Sequence, residues 1–211
     1  MSLYDHPVTP LTRGRILAAA VAMADHEGLE AVTMRRIAAA LGVHVTSLYN
    51  HVNTREAVSD GIVEVLFEEA DLPLEPLGWE AWVRRFHTAM GGLALRHPGA
   101  FAILMRRPVQ GPRAAASFEV ALAAFREAGL EAQDAYGAVK IAVHTALTAG
   151  LERSQEAQGP SPETDIEALP ATDFPQFHTL RGIEDPSMSW DFGLETVVAG
   201  LRAQIAERAT R

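Results

Sequence analysis

Apolar residues recur at spacings of three and four positions along most of the chain, which is the period of an amphipathic helix. No stretch alternates apolar and polar residues between turn signals, as a half-buried strand would. The sequence therefore predicts an all-α protein. In the first helix, Thr9 and Pro10 are expected to be the N-cap and first helical residue, and Gly28 is expected to end it. Its apolar face consists of Ile16, Leu17, Ala20, Val21 and Ala24.

Two short helices are predicted next, joined by a tight turn at Gly42. Thr33 can cap the first of them, and glycine permits the left-handed backbone conformation that a steep turn requires. The second helix is expected over residues 45–52. This arrangement is typical of a helix-turn-helix, whose second helix can lie in the major groove of DNA. The outward side of that helix would carry His44, Val45, Ser47, Asn50 and His51.

A buried helical hairpin with solvated polar residues has the same pattern, so the turn alone leaves both interpretations open. The distribution of charge favours DNA. Residues 1–56 contain five basic and five acidic residues, whereas residues 57–211 contain 13 basic and 22 acidic residues and carry the whole net charge of −9. No carboxylate lies between Ala31 and Arg55. Because charges are screened over about 8 Å at physiological salt, such an N-terminal part on an acidic body is compatible with a nucleic-acid partner.

Beyond Thr54, which can cap a fourth helix, the pattern predicts further helices. The expected ranges are 80–96, a short helix through Phe101 and Leu104 that stops near Pro108, 112–128, 134–158 and 190–208. Residues 159–186 hold five prolines and six acidic residues against one arginine and are expected to form a loop. The chain is thus divided into a helix-turn-helix domain, 1–56, and a larger helical domain, 57–211.

Composition and motifs argue against several other classes of protein. With no cysteine in the sequence there is no disulfide and no thiolate-ligated metal. The chain lacks a phosphate-binding glycine loop, a metalloprotease histidine pair and a serine nucleophile elbow, so an enzyme is not expected. No apolar run is long enough to cross a bilayer, and the N-terminus lacks a basic-then-apolar signal pattern. A cytoplasmic protein without membrane contact is therefore expected.

Particular motifs resemble a known family. Residues 11–66 are similar to the DNA-binding domain of tetracycline-repressor-like (TetR) regulators in Ile16-Leu-x-Ala-Ala, Gly28-Leu-x-x-Val-Thr-Met-Arg-Arg-Ile-Ala, Leu41-Gly-Val and Leu48-Tyr-Asn-His-Val. Later residues are similar to the ligand-binding domain of the tetracycline repressor subgroup in Trp79-Glu-x-Trp, His97-Pro98, Arg107-Pro108 and Trp190-Asp-Phe-Gly-Leu-Glu. The resemblance implies a homodimeric transcriptional repressor that binds a double-stranded DNA operator and is released by a small-molecule effector.

The resemblance also implies which residues meet DNA. The positions that grip the phosphate backbone in the family are here Thr33, Tyr49, His51 and Arg55. The positions that read or approach bases, together with Thr46, are here Arg35, His44, Val45, Ser47 and Asn50. Hydroxyls and arginine suit phosphate, while arginine suits guanine and asparagine suits adenine. For Tyr49 the alternative is packing alone. Since the family often has serine as the helix cap where this chain has His44, a weaker cap is predicted.

For the larger domain the resemblance implies an effector pocket and a dimer interface. The pocket candidates are Trp82, Phe86, Met90, Phe101, Met105, Arg107, Phe118, Phe125, Tyr136, His144 and Glu152. The interface is expected on the helices at 134–158 and 190–208. Their apolar stripes are Val139, Val143, Leu147, Leu194, Val197, Val198 and Leu201. The alternative is that these stripes face the core of the chain itself.

Tetracycline itself is not expected as the effector. Ile103 lies where the tetracycline repressor has a histidine that binds the magnesium of the drug, and Phe86 and Met90 lie where it has polar residues. Glu152 alone cannot supply the near-octahedral oxygen ligands that magnesium requires. An apolar or aromatic effector is therefore predicted, with no metal and no cofactor. The alternative function is a helical small-molecule-binding protein that has lost specific DNA binding.

Overall fold

The computed structural model describes residues 10–107, 111–158, 169–179 and 187–209. Every regular element in these ranges is helical, so the predicted all-α class is confirmed. Short 3₁₀ turns lie at Leu29–Ala31 and Phe101–Met105. The α-helices are α1 Arg13–Glu27, α2 Met34–Leu41, α3 Val45–Tyr49, α4 Arg55–Glu69, α5 Trp79–Arg96, α6 Pro112–Glu127, α7 Ala132–Gln158, α8 Pro175–His178 and α9 Ser187–Ala209.

The start of α1 differs from the prediction. Its N-cap is Thr12, whose Oγ1 accepts a hydrogen bond from the backbone N–H of Arg15 at 3.2 Å. Pro10 lies before the helix, and its carbonyl accepts a hydrogen bond from the Arg15 side chain at 2.9 Å. The placement of Pro10 as first helical residue is therefore wrong, because Thr12 offers a capping hydroxyl nearer the apolar face. Thr9 lies outside the described residues.

The turn between α2 and α3 forms as predicted. Thr33 Oγ1 caps α2 by accepting the N–H of Arg36 at 3.3 Å. Gly42 has φ 66° and ψ 31°, a left-handed conformation that a side chain would strain. Helix α3 ends at Tyr49 rather than at Val52, since the N–H groups of His51 and Val52 both return to the carbonyl of Leu48 at 2.9 Å. This closes the helix in a turn that still buries Val52.

The larger body is built around the packing of α5 on α7, with α6 and α9 also against α7. The indole Nε1 of Trp82 donates to the carbonyl of Ser117 at 2.9 Å, which fastens α5 to α6. Gly150 allows the ring of Phe101 to lie directly on α7, because a Cβ there would overlap Cζ and lie 2.8 Å from Cε1. No helix of the described ranges is long and apolar enough to cross a membrane.

Most of the apolar stripe residues predicted for the dimer interface lie in the core of the chain itself. Those buried within the chain are Val139, Val143, Leu147, Val198 and Leu201, whereas Leu194 and Val197 are half-buried. Helix α5 packs on the face of α7 that carries the stripe. Burial of this apolar face stabilises the body. Within the predicted loop 159–186, the four-residue α8 begins at Pro175, a favoured first helical residue.

A partly buried polar junction joins α1, α4 and the end of α5. His97 Nδ1 lies 2.7 Å from Asp25 Oδ2, and His97 Nε2 lies 2.8 Å from Glu69 Oε2. Asp25 Oδ1 also accepts the backbone N–H groups of Gly99 at 3.2 Å and Ala100 at 2.9 Å. Burial lowers the pKa of His97, but hydrogen bonds and attraction from the two carboxylates outweigh it, so its pKa is raised. The imidazolium thus couples the N-terminal helices to the body.

Replacing His97 by glutamine is expected to destabilise the fold most in mildly acidic solution. A raised folded-state pKa contributes stability that is fully present below the ordinary value of 6.5 and is lost as pH rises through the raised value. The loss for the variant, about 1–3 kcal/mol near pH 6 for charge-assisted bonds, should shrink by pH 8. Urea unfolding at both pH values measures it, with exposed His26→Gln as the control. Equal losses at the two pH values would contradict the assignment.

Candidate nucleic-acid interface and ligand site

Helix α3 is held by its inner side and exposed on its outer side. Leu48 is fully buried against the core that also contains Ile37 and Val52. Thr46, Tyr49 and Asn50 are exposed at spacings of three and four, which places them on one face. Of the remaining residues predicted to meet DNA, the exposed ones are His44, His51, Arg35 and Arg55, and the half-buried ones are Thr33, Val45 and Ser47.

The first turn of α3 has no side-chain cap. His44 is the N-cap residue, but its Nδ1 lies 3.0 Å from Thr46 Oγ1 instead of accepting a backbone N–H. The N–H of Ser47 is bonded to the carbonyl of His44 at 2.9 Å, and no side chain caps the other N–H groups of this first turn. Such groups suit the oxygen atoms of a phosphate.

Arginines near α3 differ in whether a carboxylate already neutralises them. Arg36 pairs with Glu27, and Arg55 lies 4.0 Å from Glu30. Arg35 is exposed and has no ion pair with any described residue. Its guanidinium keeps all its donors for an external acceptor, and the O6 and N7 atoms of guanine are acceptors that it can meet together.

The hydroxyl groups are compatible with phosphate contacts. Thr33 Oγ1 uses an acceptor lone pair on the N–H of Arg36, which leaves its O–H as a donor. The exposed phenol of Tyr49 makes no hydrogen bond with a described residue. Together these residues present donors and one arginine without a nearby carboxylate, which is the chemistry of a DNA-binding surface.

Five of the predicted effector residues belong to the continuous core of the body. They are Trp82, Phe86, Met90, Phe101 and Phe125, all fully buried. The rings of Trp82 and Phe86 stack at 4.8 Å, and half-buried Phe118 completes the cluster at 6.0 Å from Phe86. Phe125 lies apart and stacks on Trp79 at 5.6 Å.

The other predicted effector residues are distributed over separate surfaces. Arg107 Nη1 pairs with Asp60 of α4 at 3.1 Å and lines a cavity of about 230 Å³ that also touches Ile103. His144 and Glu152 line a different groove, of about 320 Å³, between α7 and α9. The exposed candidates are Met105 and Tyr136. No single described cavity gathers all eleven residues, and the described residues include no cluster of three or more potential metal ligands.

Comparison with known protein families shows to which family the chain belongs. Residues 16–58 match the model of the bacterial regulatory proteins of the tetR family, and residues 72–205 match that of the tetracyclin repressor-like C-terminal domain. The chain belongs to the TetR family. Two matched segments thus cover the helix-turn-helix and most of the larger body.

Two regulators are similar to this chain in sequence. An HTH-type transcriptional regulator of Saccharopolyspora erythraea is 36% identical over 129 residues, which cover 61% of this chain and 55% of that protein. The HTH-type transcriptional repressor DrrR1 of Streptomyces coeruleorubidus is 30% identical over 96% of this chain and 81% of its own length. The chain thus spans only about half of the first relative and most of the second.

A solved TetR-family structure matches nearly the whole chain. It is ActR of Streptomyces coelicolor in complex with actinorhodin, with a TM-score of 0.79 and 29% identity over 93% of this chain and 99% of that chain. The similarity extends over both the N-terminal helices and the body.

Sequence reasoning missed two polar side chains in the body of this TetR-family chain, those of His87 and Arg153. His87 lies on an apolar face of α5 with Phe86 and Met90, a pattern that could have indicated a buried polar group. Arg153 of α7 covers the ring of Trp190 of α9, with its Cζ 3.9 Å from the ring centroid. No local pattern indicates that contact, because the two residues are brought together only by packing of α7 on α9.

Proposed function

We propose that the protein is a cytoplasmic, homodimeric transcriptional repressor that binds a two-fold-symmetric operator through α3 and leaves it when an aromatic effector binds the body. The observation that carries the proposal is the exposed outer face of α3 together with Arg35, which has no ion pair with a described residue, in a segment without carboxylates. In the simplest geometry the two α3 helices of a dimer meet half-sites one helical turn, about 34–36 Å, apart.

Helix α4 is suited to couple the body to DNA. Its Glu64 pairs with Arg13 of α1 at 2.6 Å, and its Asp60 pairs with Arg107 at 3.1 Å. Near its C-terminal end, Glu69 bonds His97 at the end of α5. An effector that favours a different position of the segment around Arg107 would move α4 and change the spacing of the two α3 helices. Operator affinity falls to the extent that the effector prefers that second state.

The proposed dimer face uses exposed residues of α7 and α9 rather than the buried stripes. Ile141 is 47% exposed on α7 and Phe192 is 75% exposed on α9. Large exposed apolar side chains on neighbouring helices mark an interaction surface. A four-helix interface between two protomers would cover them.

Ile141→Glu is expected to dissociate the dimer without unfolding the protomer, because the side chain is already exposed and each interface would gain two carboxylates. Sedimentation velocity at micromolar concentration should show a monomer. Leu95→Glu changes a side chain that is 55% exposed on α5 and should remain dimeric, which makes it the matched control. A dimer of normal stability in the Ile141 variant would exclude this face.

An aromatic effector is supported by the groove of about 320 Å³ that Trp190 lines and by the actinorhodin complex of ActR. The test uses a fluorescent operator duplex, selected from random DNA, and follows its anisotropy while aromatic compounds are added. Release of the duplex by a compound that also binds the protein without DNA supports the proposal. A protein that keeps its operator in the presence of every compound it binds would contradict effector control.

The second candidate is a ligand-binding protein without specific DNA binding, and the uncapped α3 at His44 favours it. Salt separates the two functions. DNA affinity falls steeply as salt rises, because each phosphate contact releases a counterion, whereas affinity for a neutral small molecule does not.

A further inference from the structure

The turn that follows α5 is bonded to α1 through Asp25. Asp25 Oδ1 accepts the backbone N–H groups of Gly99 and Ala100, and Asp25 Oδ2 lies 2.7 Å from His97 Nδ1. The Asp25 side chain is only 17% exposed, so these bonds are largely sheltered from water. Helix α1 packs on α2, and α2 packs on α3. The junction therefore joins the body to the group of helices that is proposed to contact DNA.

The second nitrogen of the same imidazole holds α4. His97 Nε2 lies 2.8 Å from an oxygen of Glu69, the last residue of that helix. Arg96 Nη2 also donates to the backbone carbonyl of Glu69 at 3.0 Å. An imidazole can donate to two carboxylates only when both of its nitrogens carry a proton. The bridge between Asp25 and Glu69 therefore requires the imidazolium form of His97.

The charges at this junction come from each of the three helices that meet there. The titratable and charged groups that these helices place around His97 are Asp25 and His26 of α1, Glu68 and Glu69 of α4, and Arg96 of α5. Helix α7 adds only the uncharged amide of Gln158, which donates to the carbonyl of Pro98 at 2.7 Å. Burial lowers the pKa of His97, but its bonds to the two carboxylates raise it by more.

The two bonds of His97 respond differently when its extra proton is lost. Neutral imidazole keeps one N–H and can hold only one of the two carboxylates. Asp25 stays anchored by two backbone N–H groups, whereas the Glu69 side chain is 48% exposed and can turn to water. Rising pH therefore releases Glu69, and with it the end of α4, rather than Asp25.

This release affects how firmly the N-terminal helices are held against the body. In the proposed dimer, the distance between the two α3 helices depends on how each N-terminal domain sits on its own body. One base pair added between two half-sites separates them by about 3.4 Å more and rotates one relative to the other by about 35°. A firmly held domain cannot follow that displacement, whereas a loosely held domain can.

We propose that His97 makes the dimer selective for the spacing of its half-sites by holding Asp25 and Glu69 at once, and that this selectivity relaxes in alkaline solution. His97 is a positioning residue, because it acts on α3 through α1 and α4. The inference rests on the proposed function, since it concerns how the operator is recognised.

The test follows the fluorescence anisotropy of two duplexes at fixed salt, the selected operator and the same operator with one added central base pair. The ratio of their Kd values measures selectivity for spacing. Effects of pH on His44 and His51 cancel in this ratio, because both residues would face DNA in both complexes. Wild type is expected to prefer the selected spacing about tenfold or more near pH 6, and several-fold less near pH 9.

Glu69→Ala removes the bond to α4 and leaves the sheltered bond to Asp25. Because the Glu69 side chain is half exposed, this variant should fold, and it should show the weak preference of alkaline wild type at both pH values. Glu68→Ala removes the neighbouring exposed carboxylate of α4 and is the matched control, which should behave as wild type does. Both variants should bind a duplex with a single half-site as wild type does, which shows that α3 is intact.

Two results would overturn the inference. One is a wild-type preference for spacing that is the same at both pH values, and the other is a Glu69→Ala variant that keeps the pH-dependent preference. Each would be seen with a protein that does select a symmetric operator. A wild type that selects no operator would instead overturn the proposed function, so the two failures are distinguishable.

Discussion

Arg35→Ala is expected to weaken operator binding by about a hundredfold or more, because each protomer of the dimer loses a base contact of about 1–3 kcal/mol. Arg35 is exposed and has no ion pair with a described residue, so its removal disturbs nothing within the protomer. Fluorescence anisotropy with the selected operator at fixed salt measures the loss. Dimerisation, measured by sedimentation velocity, should be unchanged.

The neighbouring Arg36→Ala is the control for that experiment. Its guanidinium is already paired with Glu27, so its removal should cost little operator affinity. Tyr49→Phe removes only the phenolic O–H and should weaken binding to all sequences about equally, as loss of a phosphate contact does. If Arg35→Ala binds the operator as tightly as wild type does, α2 and α3 do not contact DNA in the way described.

Gly99→Ala is expected to destabilise the fold by about 3 kcal/mol or more, because the new methyl group has no space. A Cβ at position 99 would overlap the carbonyl oxygen of Ala24 and lie 2.7 Å from the Cα of Asp25. These are backbone atoms of α1, so relief requires α1 to move away from the body. That movement would also break the hydrogen bonds that Asp25 Oδ1 accepts from the backbone N–H groups of Gly99 and Ala100.

Gly92→Ala, within α5, is expected to have the opposite effect on the stability of the fold. The nearest atom to a Cβ there is Arg96 Nη1, at 3.5 Å on a flexible side chain. Alanine in the middle of α5 should therefore stabilise the protein by about 0.5–1 kcal/mol. Urea unfolding compares the two variants with wild type. A Gly99 variant as stable as wild type would show that the contact between α1 and the body is not tight.

Local signals in the sequence were sufficient to predict the helix boundaries around the turn between α2 and α3. Thr33 and Thr54 cap α2 and α4 as predicted, and Gly42 adopts the left-handed conformation, because these features depend on a few adjacent residues. The same reasoning misplaced the start of α1, because it took Thr9 and Pro10 as the cap and first helical residue, whereas Thr12 is the cap. Pro10 lies before the helix, where its carbonyl accepts a hydrogen bond from the Arg15 side chain.

Contacts between distant residues could not be predicted in the same way. Periodicity showed that α7 has an apolar face but not which helix covers it, so Val139 and Val143 were expected at an interface and lie in the core. The bond between Asp25 and His97 joins residues 72 positions apart, and no local pattern indicates it. The effector residues are the hardest to predict from the sequence, because core packing and ligand binding use the same apolar side chains.

The central claim is that a dimer of this chain recognises a two-fold-symmetric DNA sequence through α3. It is tested most directly by selecting bound duplexes from a random DNA pool with the purified full chain at a stated salt concentration. The account predicts two half-sites related by two-fold symmetry and an affinity that falls steeply as salt rises. A folded, dimeric protein that enriches no sequence would contradict it.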